Sequence, residues 1–201
     1  MALMSKKGDA PARSAPGPIR AVQLKVTLKG IQPPIWRRLV VANNYSLGDL
    51  HWVIQIAMGW DNDHMHAFSI GKVAYACPET ADYGGELCDE DFSLQQVIKR
   101  PGQRFTYEYD FGDGWRHEIL VEKIEPADSQ TLLPHCLKGA RACPREDCGG
   151  VGGYEAMLEA KLHPTEERLS YWGDPSWVLE FDPEHFDLAA VNKRLLPVQK
   201  T

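Results

Sequence analysis

The sequence predicts an α+β fold: a mixed, mainly antiparallel sheet with a Gly-Asp-Gly hairpin, packed by helices. Three observations lead there. Strand-like patterns come first and mostly without intervening helices, and helical patterns follow. Residues 107–117 read as two strands around a glycine-bounded turn. Helical spacing, with its own capping residues, returns at several separate places.

Each element has a local reason. Val22, Leu24, Val26 and Leu28 alternate with Gln23, Lys25, Thr27 and Lys29, the period of a half-buried strand. Pro33-Pro34 interrupts it, and Ile35 to Val41 resumes as a second strand with Arg37-Arg38 at its middle. Ser46 and Asp49 have the spacing of a capping box. Leu47, Leu50, Ile54, Ala57 and Met58 follow at helical spacing, and Gly59 suits the left-handed position after the last turn. A polar loop over 60–66 leads into a strand pair around Gly71, and 77–92 reads as an acidic loop holding Asp82, Glu86, Asp89, Glu90 and Asp91. Ser93 and Gln96 cap a short helix to Ile98. A long irregular stretch is expected over 126–153. Helices then follow around Tyr154 to Leu162, from Thr165 through Tyr171, and from Asp182-Pro183 through Leu195.

The hairpin is the most specified element. A three-residue loop of Gly112, Asp113 and Gly114 sets Phe111 opposite Trp115, Tyr109 opposite His117, and Tyr107 opposite Ile119. One face is then aromatic and apolar, and Asp110 meets Arg116 on the other. This register also places Glu108 against Glu118, an unfavourable pair of like charges.

The chain has 201 residues, the size of one ordinary domain. Residues 1–20 and 197–201 read as tails around a single domain at 21–196. Nothing approaches the ~20 consecutive apolar residues of a membrane span. No apolar run with a cleavage site opens the sequence, so a cytoplasmic location with five reduced cysteines is expected. The first 20 residues carry a net +3 within a chain total of −6, so the remainder carries −9. A body this acidic disfavours nucleic acid as a partner.

A set of short motifs runs along the chain: residues 24–30, 33–38, Leu50-His51, residues 58–60, 64–68 and 107–115. Further ones are His117-Glu118, residues 143–150, Gly153-Tyr154, residues 181–183, Phe186-Asp187 and Asn192. In this combination the chain resembles the plasmid pRiA4b ORF-3-like family. The resemblance spans roughly residues 21–195. It implies a single α+β domain found on plasmids and in bacterial and archaeal genomes, and it brings no catalytic residues with it. Some members are labelled resolvase-like, so a DNA-associated role on mobile elements rests on resemblance alone. Arg145 stands where the family usually has a second proline, and the segment after Pro164 is poorer in histidine.

Four constellations offer chemistry. Cys136, Cys143 and Cys148, beside His135, are candidate zinc ligands, against the plainer reading of buried thiols under a loop. His64 and His66 sit on one side of an extended segment, a geometry metals use. His117 near Asp110 or Asp113 has the makings of a general base, but the register favours a core histidine. Glu146 and Asp147 precede a helix, where carboxylates hold a hard cation or cap amides. Trp60 and Trp115 adjoin these turns, with Tyr109, and are candidate walls of a ligand pocket. No P-loop, G-x-S-x-G elbow or H-E-x-x-H helix is present. The leading expectation is a non-enzymatic module binding a small molecule or a protein; a metal-dependent hydrolase or nuclease is the alternative. Both require the turns around residues 64, 113 and 146 to meet at one end of an aromatic-walled sheet.

Overall fold

The computed structural model describes residues 17–78, 86–127 and 132–198. The expected N-terminal tail up to residue 16, Asp82 of the acidic loop, and residues 199–201 lie outside these. Eight strands form one sheet in the order β5-β4-β3-β6-β7-β1-β2-β8. They are β1 (Arg20–Leu28), β2 (Trp36–Ala42), β3 (His66–Ile70), β4 (Val73–Ala76), β5 (Leu87–Cys88), β6 (Arg104–Tyr109), β7 (Trp115–Pro126) and β8 (His135–Ala140). Pairing is antiparallel throughout except between β4 and β5. The class is therefore α+β with a mixed, mainly antiparallel sheet, as the order of patterns predicts.

The alternation in the sequence becomes a two-faced sheet. Val22, Leu24, Val26, Leu28, Ile119 and Val121 are buried on one face. The other face is polar and tied by ion pairs, Arg38 to Glu122 at 2.7 Å and Arg104 to Glu118 at 2.6 Å. Helix α1 (Leu47–Met58) covers the apolar face where Tyr107 lies, since both His51 and Gln55 hydrogen-bond the Tyr107 hydroxyl. Both halves of the Ser46–Asp49 capping box form, and Gly59 ends the helix at φ 95°. Helices α2 (Leu94–Val97), α3 (Gly150–Leu162), α4 (Glu166–Ser170), α5 (Ser176–Glu180) and α6 (Leu188–Leu195) follow.

The hairpin keeps its predicted faces but not its predicted register. Tyr107 faces His117, Tyr109 faces Trp115 and Glu108 faces Arg116. The loop is Asp110 to Gly114, two residues longer than expected. A two-residue shift leaves every side chain on its own face, so the apolar pattern cannot distinguish the two registers. Charge can. The observed register replaces the Glu108–Glu118 clash with Glu108–Arg116 at 3.2 Å. It also frees Asp110, whose Oδ1 accepts from the Gly112 and Asp113 amides at 2.9 and 3.2 Å. Asp110 and Gly114, rather than Gly112, take the positive φ, and Phe111 is left 49% exposed.

Two further expectations are corrected, and one element is new. The stretch 126–153 holds strand β8, hidden because His-Cys-Leu-Lys-Gly-Ala shows no alternation. That edge strand is held instead by Asn192 of α6, whose side chain bonds both the amide and the carbonyl of Cys136. Asp182-Pro183 opens a turn, not a helix; Asp187 caps α6 through the Ala190 amide at 2.9 Å. Helix α5 has no counterpart in the sequence reading.

Candidate functional site

The three polar turns do meet. The amide of Asp110 donates to the Met65 carbonyl at 2.9 Å, pinning the hairpin to the 60–66 loop. Asp113 Oδ2 accepts from the Gly149 amide at 3.2 Å. Glu146 joins both: one oxygen accepts from the Asp61 amide at 2.8 Å and the other from the Tyr109 hydroxyl. Burial, with that carboxylate adding to it, raises the Tyr109 pKa, so its hydroxyl stays a donor. The Trp60 indole donates to the Pro144 carbonyl at 2.9 Å.

Glycine makes the approach close. At Gly150, φ is +67° and an added Cβ would lie 2.5 Å from the Asp113 carbonyl oxygen. Gly150→Ala is expected to cost about 1–3 kcal/mol through backbone strain and this overlap. At Gly152 nothing lies within 4 Å, so Gly152→Ala should be neutral or stabilise by up to about 1 kcal/mol. Urea unfolding of the two variants checks the contrast.

His64 sits at the junction. Its Nε2 lies 3.2 Å from Asp147 Oδ1 and 3.8 Å from Asp110 Oδ2. Among the described residues, the ligand-type atoms of His64, Asp110 and Asp147 all fall within 4.8 Å of one another. His66 goes elsewhere: it bonds Asp89 at 2.7 Å and stacks on His51 at 3.5 Å. The expected pairing of His64 with His66 as co-ligands does not form, because the β3 pairing carries His66 into the core. Glu146 and Asp147 do not cap α3 either; Gly149 occupies that position without a side-chain bond.

His117 is fully buried, the core position that the sequence favours over a general base. Burial pushes its pKa down to about 4. The nearby carbonyls of Tyr107 and Trp115 favour its proton, but neither ring nitrogen makes a hydrogen bond of good geometry. Trp115 is also buried, 6.0 Å from Trp60 between ring centres.

The cysteines are not gathered. Cys143 Sγ lies 3.2 Å from the Met58 sulfur, Cys136 Sγ approaches the Lys138 carbonyl, and Cys148 Sγ the Gly150 carbonyl. They form no shared ligand group among the described residues. Burial raises the Cys143 thiol to about 11 and the Cys148 thiol to about 12, the condition of inert core thiols.

Sequence reasoning missed two parts of the site. One is a buried chain of polar contacts: His51 bonds Asn62 at 2.6 Å and Tyr107 at 2.8 Å, and Gln55 also reaches Tyr107. Its signal was His51 and Gln55, polar residues one turn apart among the apolar positions of α1. The other is the far wall of a cleft of about 810 Å³. Trp60, Asp61, Asp63 and Asp147 line one side, and Tyr171, Trp172, Asp174 and Trp177 the other. The second set comes from the turn after α4 and the start of α5, with no spacing motif to mark it.

The sequence profile described as "Plasmid pRiA4b ORF-3-like protein" matches residues 20–190, and the chain belongs to that family. It is 40% identical over 148 residues to the uncharacterized protein y4hQ of Sinorhizobium fredii, covering 73% of this chain and 76% of that one. It is also similar to the crystal structure of a protein of unknown function, MM3350, from Methanosarcina mazei Go1. There the TM-score is 0.75 at 35% identity, over 87% of this chain and 97% of that one. No helix among the described residues is long and apolar enough to cross a membrane.

Proposed function

We propose that the chain is a binding module that takes an organic cation, a guanidinium or alkylammonium group, into the aromatic and acidic cleft. One observation carries this reading. The chain's own Arg145 guanidinium already lies 5.1 Å from the centre of the Trp177 ring, at the edge of a ring of carboxylates. An aromatic face that holds one cation offers the same attraction to another. The walls have the shape for it: Trp172 stands nearly perpendicular to both Trp177, at 88°, and Tyr171, at 86°. Asp61, Asp63, Asp147 and Asp174 supply negative charge without a matching set of cations.

Binding is favoured over catalysis because the deepest titratable groups are committed. His51 and His117 are enclosed with lowered pKa values, and the Tyr109 hydroxyl is engaged by Glu146. A phosphate backbone would meet repulsion in this cleft.

The test is a titration with tetramethylammonium and with guanidinium at constant ionic strength, followed through the indole N–H signals of Trp172 and Trp177. Saturable shifts are expected, weakened at least tenfold by Trp172→Ala and further by 1 M salt (~3 Å screening length). Indole signals that do not move, or a Trp172→Ala variant that titrates like the parent, would refute the reading.

A further inference from the structure

We infer that His64, Asp110 and Asp147 form a divalent-cation site where the hairpin, the 60–66 loop and the 141–148 segment meet. The inference goes beyond the organic-cation reading and does not depend on it.

The geometry is that of ligands aimed at a shared point. His64 Nε2 and Asp147 Oδ1 are 3.2 Å apart, within hydrogen-bond range, yet His64 Nε2 is buried and makes no hydrogen bond. Asp110 is only 6% exposed. Its Oδ1 is occupied by two loop amides, and its Oδ2 faces His64 Nε2 at 3.8 Å, too far for a hydrogen bond. The free carboxylate oxygen of a buried aspartate and a buried imidazole nitrogen therefore face each other without bonding. Atoms bound to one ion at about 2.1 Å stand about 3.0 to 3.4 Å apart, depending on coordination geometry. The His64–Asp147 separation of 3.2 Å falls within that spacing, and the His64–Asp110 separation of 3.8 Å exceeds it by a few tenths of an ångström, a gap that ligation would close.

The local backbone holds these side chains in place. Asp110 and Asp147, on different loops, both take left-handed φ, 54° and 57°. The Asp110 amide is tied to Met65, next to His64, so hairpin and histidine move as a unit. Tyr109 supports the ring edge-on at 5.9 Å.

The donor set of one imidazole and two carboxylates, without sulfur, suits Mn²⁺ or Zn²⁺. Two carboxylate charges match a dication. Asp147 also lines the large cleft, and His64 lines a smaller neighbouring depression, so remaining coordination positions would open toward solvent.

The experiment uses the untagged full chain, stripped with a chelator and titrated with Mn²⁺ at pH 7.5, following the free-ion paramagnetic resonance signal. Mn²⁺ is chosen because the five thiols bind it poorly. One ion per chain is expected, displaced by Zn²⁺. Asp147→Asn should weaken binding at least tenfold while leaving metal-free thermal unfolding unchanged. That side chain is 78% exposed, and asparagine tolerates left-handed φ. His64→Ala should do the same, and Cys148→Ser should bind as the parent does. Absence of Mn²⁺ binding, or binding by Asp147→Asn and His64→Ala equal to the parent's, would overturn the assignment and leave a histidine that only packs between two carboxylates. No organic cation is present in this titration, so its failure leaves the cleft reading intact, and the indole titration can fail without touching this one.

Discussion

Replacing Arg37 with methionine is expected to lower stability by about 3–5 kcal/mol, the largest loss among single side-chain changes considered for this protein. Arg37 projects from β2 into the interior and is 3% exposed. Among the described residues its partners are carbonyls and the Cys143 sulfur, with no carboxylate. Its Nε donates to Ala57 at the end of α1, at 2.8 Å. Its Nη1 donates to Trp36 and Ala140, and its Nη2 to Arg141 at 2.8 Å. The guanidinium plane also lies 4.3 Å from the centre of Phe186. Methionine fills much of the volume but donates nothing, so buried acceptors on three separate elements lose their partner. The consequence reaches the site. Arg37 holds the 140–143 backbone, which leads directly to Glu146 and Asp147. A shift of the urea midpoint by the expected amount, with weakened Mn²⁺ binding, would support this role. A loss under about 1 kcal/mol would mean that solvent or repacking satisfies those carbonyls.

Particular residues show what the sequence made legible. Ser46, Asp49 and Gly59 mark both ends of α1 because caps are local chemistry, readable within a few positions. The faces of the hairpin were legible from alternation, but its register was not. Apolar pattern repeats every two residues, and only the placement of Arg104 and Arg116 against glutamates separates the two solutions. Strand β8 was illegible because its support, Asn192, lies more than fifty residues away. The meeting of the turns at 64, 113 and 146 was foreseeable from their polarity. The identity of the partners was not: His64 chose Asp110 and Asp147, while His66, two residues on, was drawn into the core by its pairing with Tyr109 in β6. The cleft's second wall came from the turn between two five-residue helices and the start of the second, where no periodicity can show.

Acidification from pH 7 to pH 5 is expected to cost about 4 kcal/mol of stability, most of it through His51 and His117. Burial depresses His51 to about 3, with the neighbouring His66 adding to the effect and the Asn62 hydrogen bond opposing it. Burial depresses His117 to about 4. Both sit below the ordinary value near 6.5 that each regains on unfolding. Between those limits the unfolded chain binds a proton that the folded chain refuses, so stability falls as pH drops below about 6.5. Because pH 5 lies about 1.5 units below the unfolded pKa, each histidine costs about 2 kcal/mol there, at about 1.4 kcal/mol per unit. The surroundings explain why neither can charge cheaply. His51 is wedged between Tyr107, Asn62 and His66, and His117 between Tyr107 and Trp60. The paired carboxylate Glu122 has a lowered pKa, so its contribution is lost only at lower pH. His117→Gln removes one of the two proton acceptors and should reduce the slope of stability against pH between 5 and 6.5 by about half, whatever it does to stability at pH 7. Urea unfolding across that range measures the slope directly. An unchanged slope would place the acid sensitivity elsewhere and mean that His117 is reached by solvent before it is protonated.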